Sequence, residues 1–235
     1  MMIKNRKVLV TGGAVRIGRE ICRFLAKQNI DIIIHCCNSI SEGKELLKEL
    51  NETTYGNHRL IQGDLLDIKF QKKIFEKNVD ILINNASCFD NKIISEESCE
   101  NAKKQFDVNF WVPFNLMKLF EEQNIKDGII INILDSTVFK TDMKSGAYSL
   151  SKKALAELTK LTALQWAPSI RVNGIAPGYV LPPIWLKDSK MEESIKKTPM
   201  LKPVTALEIA ETCLFIINSK SITGEIINID GGVHL

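Results

Sequence analysis

The apolar residues of this chain fall in short continuous runs, separated by longer stretches where apolar and polar positions mix. The runs lie within Lys7–Val10, Asp31–His35, Arg59–Gln62, Asp80–Asn84, Gly128–Ile133, Ile170–Ile175 and Glu225–Ile229. Runs of this length, apolar at successive positions, read as strands buried on both faces. The intervening stretches read as helices: about Arg16 to Gln28, Ser41 to Asn51 with Ser41 as N-cap, Asp67 to Glu76, Glu97 to Gln123, Ser145 to Trp166 and Ala206 to Ser219. Strand and helix alternate throughout. The pattern predicts one α/β domain over 1–235, a Rossmann-like, doubly wound parallel sheet of about seven strands with helices on both faces. A long insertion, about 178–204, interrupts the alternation and has the length of an active-site lid; a short helix is expected in it from Met191 to Lys197.

Composition narrows the class without naming a function. A chain of 235 residues, 45% hydrophobic and 25% charged, is an ordinary globular domain with a sizeable core. The net charge of +3 is too small to imply a nucleic-acid or membrane partner. No apolar run has the length of a bilayer span. The residues before the first strand are not expected to form a signal peptide. The six cysteines, Cys22, Cys36, Cys37, Cys88, Cys99 and Cys213, include no C-x-x-C pair, and with three histidines they show no metal-ligand spacing. They read as reduced thiols of a cytoplasmic protein, with no metal bound. Cys88 reads as a structural thiol or a reactive one.

The first strand runs into Thr11-Gly-Gly-Ala-Val-Arg-Ile-Gly18. Gly12 and Gly13 let the backbone turn tightly and approach a ligand closely. The first N–H groups of the following helix have no partners within it, and its dipole adds positive charge there. Such a turn is either an anion site, most often for a dinucleotide pyrophosphate, or a plain strand-to-helix connection. Arg16 adds a full charge. Asp64, Asn84-Asn85, Asp135 and Pro177-Gly178 all fall at strand carboxyl ends, so they converge with the turn on one crevice. In the penultimate helix, Tyr148 and Lys152 are four residues apart and share a face. The ammonium is expected to draw the phenol toward its ionised form, which proton exchange near neutrality requires. Alone, that spacing equally fits an amphipathic helix with a solvated lysine.

These pieces occur in one order: the glycine turn, Asn84-Asn-Ala86, Asn109, Tyr148/Lys152, Arg171-Val-Asn173, Pro177-Gly178 and Asp230-Gly-Gly232. In that order they resemble the short-chain dehydrogenase/reductase family across essentially the whole chain. The resemblance implies NAD(P)-dependent hydride transfer in a homotetramer packed partly through the two long helices. Tyr148 would be the acid/base, Lys152 would hold the nicotinamide ribose, and Asn109 would stabilise a proton-relay water. Cofactor contacts would come from Gly12, Arg16, Ile17, Gly18, His35, Asn38, Ser39, Asp64, Leu65, Asn85, Ala86, Ser87, Tyr148, Lys152, Pro177 and Gly178.

Three departures from the family pattern carry information. Asp135 stands where the family usually has a serine, thirteen residues before the tyrosine; Ser136 follows it. Arg16 replaces a glycine, and Asn84-Asn-Ala-Ser-Cys-Phe89 replaces N-N-A-G. Together they resemble the pteridine reductases, including the bacterial dihydromonapterin reductases. That likeness implies substrate contacts from Arg16, Ser87, Phe89, Asp135, Tyr148, Leu181 and Trp185, with the Phe89 ring stacked on a pterin. A carboxylate beside the tyrosine would repel a carbonyl oxygen gaining charge, but suits proton delivery to the nitrogen of a C=N bond. The second strand ends in His35-Cys-Cys-Asn-Ser39 with no acid to repel a 2′-phosphate, which predicts NADPH. The expected reaction is reduction of a 7,8-dihydropterin (dihydromonapterin, dihydrobiopterin or dihydrofolate). The alternatives are a ketoreductase of the 3-oxoacyl type and a non-catalytic nucleotide-binding protein.

Overall fold

The computed structural model describes residues 6–76, 78–180, 193, 195–196 and 198–235. Its strands are β1 (Lys7–Val10), β2 (Asp31–Cys36), β3 (Arg59–Gln62), β4 (Ile81–Asn84), β5 (Gly128–Ile133), β6 (Ile170–Pro177) and β7 (Ile226–Ile229). Among the described residues they form one seven-stranded sheet in the order β3-β2-β1-β4-β5-β6-β7, every pair parallel. Strand order reverses between β1 and β4, so the carboxyl ends of these two strands flank a crevice. The helices are α1 (Arg16–Ala26), α2 (Ile40–Thr53), α3 (Ile68–Ile74), α4 (Cys99–Phe106), α5 (Val112–Glu121), α6 (Gly146–Trp166) and α7 (Ala206–Asn218).

Alternation along the central strands divides the core in two. Val8, Val10, Ile32, Ile34, Ile81 and Ile83 face Ile21 and Leu25 of α1, Leu46 of α2 and Ile209 of α7. Leu9, Ile33, Leu82 and Ile130 face Ile74 of α3, Leu116 and Phe120 of α5 and Leu155 of α6. Burying each such side chain contributes about 1.5–3 kcal/mol, which holds the helices to both faces. Side-chain caps begin α3, α4 and α7. Thr205 and Glu208 form a reciprocal capping box on α7, with Thr205 Oγ1 accepting from the Glu208 N–H at 3.1 Å. Asp67 caps α3 and Ser98 caps α4.

Two local expectations are corrected. The N-cap of α2 is Ser39, not Ser41, whose hydroxyl instead donates to Glu42 at 2.8 Å. The single helix expected over Glu97 to Gln123 is two helices joined by a π-turn, Asp107–Trp111. Pro113 has no N–H to give the Asn109 carbonyl four residues back, so the regular ladder cannot run through this point. Leu181 and Trp185 lie outside the described residues, as does most of the helix expected over 191–197. No described helix is long and apolar enough to cross a membrane.

Candidate active site

The glycine turn is built from both sides. Gly12 has φ +62°, a conformation glycine adopts freely. A side chain on Gly18 would run into the Gly12 carbonyl and, at 2.7 Å, the Asn85 amide nitrogen. Thr11 ties the turn to β4: its hydroxyl accepts the N–H groups of Asn85 and Ala86, both at 2.9 Å. Asn85 Nδ2 donates to the carbonyls of Thr11 at 2.9 Å and Gly12 at 3.1 Å. Helix α1 then begins at Arg16, with no side-chain cap and no acid in its first turn. An uncapped helix start beside a turn too tight for side chains is a cradle for an anion. Arg16 is exposed there and has φ +53°.

His35 supports this turn from inside. It is 2% exposed, and both ring nitrogens are engaged. Nδ1 accepts the Gly12 N–H at 3.2 Å, so Nε2 carries the proton and donates to the Gly63 carbonyl at 3.0 Å. Burial lowers its pKa, so the ring is neutral in this arrangement. Asn38 is exposed beyond β2, next to Ser39 at the start of α2. Beyond β3, Asp64 is exposed, and the Leu65 carbonyl accepts from Gln71 Nε2 at 2.6 Å. Beyond β6, the Gly178 N–H donates to the Ile229 carbonyl at 2.9 Å, and a side chain on Gly178 would strike the Asp230 backbone.

Beyond β5 stands the chemical centre. The Tyr148 hydroxyl donates to Asp135 Oδ2 at 3.0 Å, while Asp135 Oδ1 accepts the Thr137 N–H at 2.9 Å and caps a 3₁₀ turn. Lys152 is 3% exposed, donates to the Ile133 carbonyl at 2.9 Å and lies 5.9 Å from the Tyr148 ring centre. Burial pushes its pKa down to about 8, against the attraction of Asp135. The Tyr148 phenol goes the other way. Burial, then the Asp135 charge and its hydrogen bond, raise its pKa well above the usual value. The expectation that Lys152 draws this phenol toward ionisation is therefore corrected: burial first, and then the acid beside it, keep it protonated. The Phe89 ring lies 4.8 Å from that of Tyr148, edge to face, and is 44% exposed at the crevice mouth.

Asn109, in the π-turn, is wholly buried. Its Nδ2 donates to the Cys88 carbonyl at 2.9 Å and to Ser151 Oγ at 3.2 Å; its Oδ1 accepts from the Cys88 N–H at 3.0 Å and Ser87 Oγ at 2.8 Å. Its side chain thus clamps the loop after β4 to α6. Thr11, Gln71 and Ser151 were missing from the candidate residues. Thr11 lies inside the glycine motif, which could have flagged it; nothing in the local pattern marks the other two. Among the described residues no cluster of His, Cys, Asp or Glu could hold a metal ion, and all six cysteines are free.

Residues 6–193 match the short chain dehydrogenase family. The chain belongs to that family. It is therefore an oxidoreductase of the short-chain type, and its relatives carry varied names. A solved structure titled as FolM alternative dihydrofolate reductase 1 from Brucella canis, complexed with NADP, superposes with a TM-score of 0.93 at 33% identity, over 99% of this chain and 95% of that one. The 2-dehydro-3-deoxy-D-gluconate 5-dehydrogenase of Bacillus subtilis is 32% identical over 98% of this chain and 95% of its own length. Pteridine reductase 1 of Leishmania tarentolae is 27% identical, over 97% of this chain and 96% of its own.

Proposed function

We propose that this short-chain dehydrogenase reduces a 7,8-dihydropterin to the tetrahydro form with NADPH. The observation that carries the reading is the carboxylate of Asp135 hydrogen-bonded to the Tyr148 hydroxyl at 3.0 Å. The similar Brucella canis and Leishmania tarentolae proteins, named as a dihydrofolate reductase and a pteridine reductase, support it.

The glycine turn fits a dinucleotide. Its phosphates would meet the uncapped start of α1 at Ile17 and Gly18, with Gly12 leaving room for them. Arg16, Asn38 and Ser39 would receive a 2′-phosphate, Asp64 and Leu65 the adenosine end, and Ala86, Lys152, Pro177 and Gly178 the nicotinamide end. NADPH, when bound, supplies the hydride. The protein supplies the proton. As hydride reaches the carbon of the pterin C=N bond, the nitrogen gains a proton from the Tyr148 hydroxyl. A solvent proton taken up by Asp135 then returns to the phenolate oxygen, and the pair regains its starting charge. Phe89 offers a planar apolar face for the heterocycle.

A second reading, reduction of a carbonyl, is favoured by the Bacillus subtilis relative. It conflicts with a carboxylate beside the proton donor. The deciding experiment is NADPH oxidation against a panel of dihydropterins, dihydrofolate and oxoacyl thioesters, repeated with NADH. Turnover of the thioesters alone would overturn the substrate assignment; equal rates with NADH would overturn the cofactor choice. We also propose a homotetramer. Trp111, 48% exposed, and Leu161 and Leu164 of α6, 52% and 82% exposed, support burial of this face by another copy. Light scattering on the eluted protein tests it.

A further inference from the structure

Three amide side chains, spaced four residues apart, reach into the loop after β4. Residues at this spacing share a helix face. Asn101 of α4 donates from Nδ2 to Asp90 Oδ2 at 2.9 Å. Asn109 of the π-turn accepts the Cys88 N–H at 3.0 Å and donates to the Cys88 carbonyl at 2.9 Å. Gln105 of α4 lies between them in sequence and is buried. Its two amide atoms stand 3.0 Å from the Cys88 carbonyl oxygen and 3.2 Å from the Asp90 nitrogen. A carbonyl needs a donor and an N–H needs an acceptor, which sets the amide: nitrogen to Cys88, oxygen to Asp90.

These two partners flank Phe89. The Cys88 carbonyl belongs to the peptide unit entering Phe89, and the Asp90 N–H to the unit leaving it. Each unit is planar, so the path of the chain at Phe89 is set by two dihedrals, one toward each unit. A single side chain holds both units. It therefore fixes the direction in which the ring leaves the backbone, toward its edge-to-face contact with Tyr148 at 4.8 Å. The Asp90 N–H loses this acceptor when Gln105 is removed, while the Cys88 carbonyl keeps Asn109.

We propose that Gln105 is a positioning residue: it presets the Phe89 ring as the face on which the substrate heterocycle rests, and acts through Phe89, not on the reacting atoms. This rests on the role given to Phe89 above. A loop already held in its bound shape loses less freedom when the ligand arrives, so the effect falls on substrate affinity.

The test uses the full chain with NADPH and the dihydropterin it turns over. Gln105→Met keeps the length of the side chain and removes the amide. It is expected to raise KM for the dihydropterin about tenfold, with kcat and KM for NADPH within about twofold. In a Phe89→Ala background the same substitution is expected to raise KM no further, because Gln105 acts through that ring. A second measurement needs no substrate. The chain is labelled with 4-fluorophenylalanine, and the Phe89 fluorine resonance is identified by its loss in Phe89→Leu. Gln105→Met is expected to move this resonance toward its position in the unfolded chain, and to leave those of Phe24 and Phe120, on opposite faces of the sheet, in place. Where methionine unfolds the chain, Gln105→Glu takes its place. Its carboxylate still accepts the Asp90 N–H but turns an oxygen to the Cys88 carbonyl, and the same rise in KM and shift of the resonance are expected. A Phe89 resonance unmoved in the folded variant, or a KM effect that persists without the Phe89 ring, would overturn the proposal. A resonance that moves in a chain that turns over no dihydropterin would overturn the pterin assignment and support the hold of Gln105 on the ring.

Discussion

The Tyr148 hydroxyl donates to Asp135 Oδ2 at 3.0 Å, across thirteen residues of sequence and from two different elements. Burial and then the carboxylate hold the phenol protonated, which suits a donor of protons and not an acceptor. Asp135→Ser is therefore expected to lower dihydropterin turnover by about 10²-fold or more, the usual share of a positioned acid–base group. It is also expected to bring Tyr148 down toward the ordinary tyrosine range. Turnover by the native protein should fall as pH rises, because the pair must be recharged from solvent. Full dihydropterin activity in Asp135→Ser would remove the role given to Asp135.

Arg16 stands at φ +53°, where an L side chain is strained and glycine is not. Arg16→Gly is expected to raise stability by about 0.5–1 kcal/mol, since relief of strain exceeds the extra chain entropy glycine brings. The same change removes a cation from the start of α1, and KM for NADPH is expected to rise about tenfold. A denaturation midpoint and a KM that both rise identify strain kept for binding. A fall in both stability and affinity would show that Arg16 is structural.

Much of this architecture is legible in the apolar runs because the central strands are buried on both faces. β5, Gly128–Ile133, is buried at every position. The convergence of Gly12, Asp135, Tyr148 and Lys152 follows from strand carboxyl ends sharing one edge. What escaped was decided by burial and by particular hydrogen bonds, made or missing. The apolar pattern of 97–123 runs unbroken through Asn109, and only the missing Pro113 N–H interrupts the helix. The direction of the Tyr148 shift was misjudged because sequence spacing sees Lys152 four residues away but not burial or the nearer Asp135. Gln71 supports the Leu65 carbonyl across one turn, a hydrogen bond that no periodicity announces.

His35 gives a prediction about cofactor affinity that does not involve the reacting atoms. Its ring joins the Gly12 N–H to the Gly63 carbonyl inside the protein. His35→Ala leaves both groups unpaired, at about 1–3 kcal/mol each, and loosens the turn. Stability should fall and KM for NADPH should rise while kcat changes little. Acid should have a related effect. The folded pKa is lowered by burial, so below the ordinary value of 6.5 the unfolded chain binds the proton first and stability falls with pH. His35→Asn, which keeps an acceptor but cannot ionise, should lose less stability over the same acid range in urea titrations.

Lys152 carries the last prediction, and its sign is opposite to that of a paired surface lysine. Burial lowers its folded pKa from 10.5 to about 8. Below about pH 8 the folded state holds a buried ammonium, and the chain is less stable for it. Between about pH 8 and 10.5 the folded lysine has lost its proton while the unfolded one keeps it, so this contribution rises with pH. Buried thiols such as Cys22, with pKa values raised by burial, act in the reverse sense at the alkaline end. The lysine is therefore isolated as the difference between the native chain and Lys152→Met. That variant is expected to be inactive and to be more stable at neutral pH by roughly 1–3 kcal/mol. Its advantage should shrink as pH rises through this window, measured by urea denaturation at each pH. A difference independent of pH would mean that Lys152 keeps the ordinary lysine pKa in the folded protein.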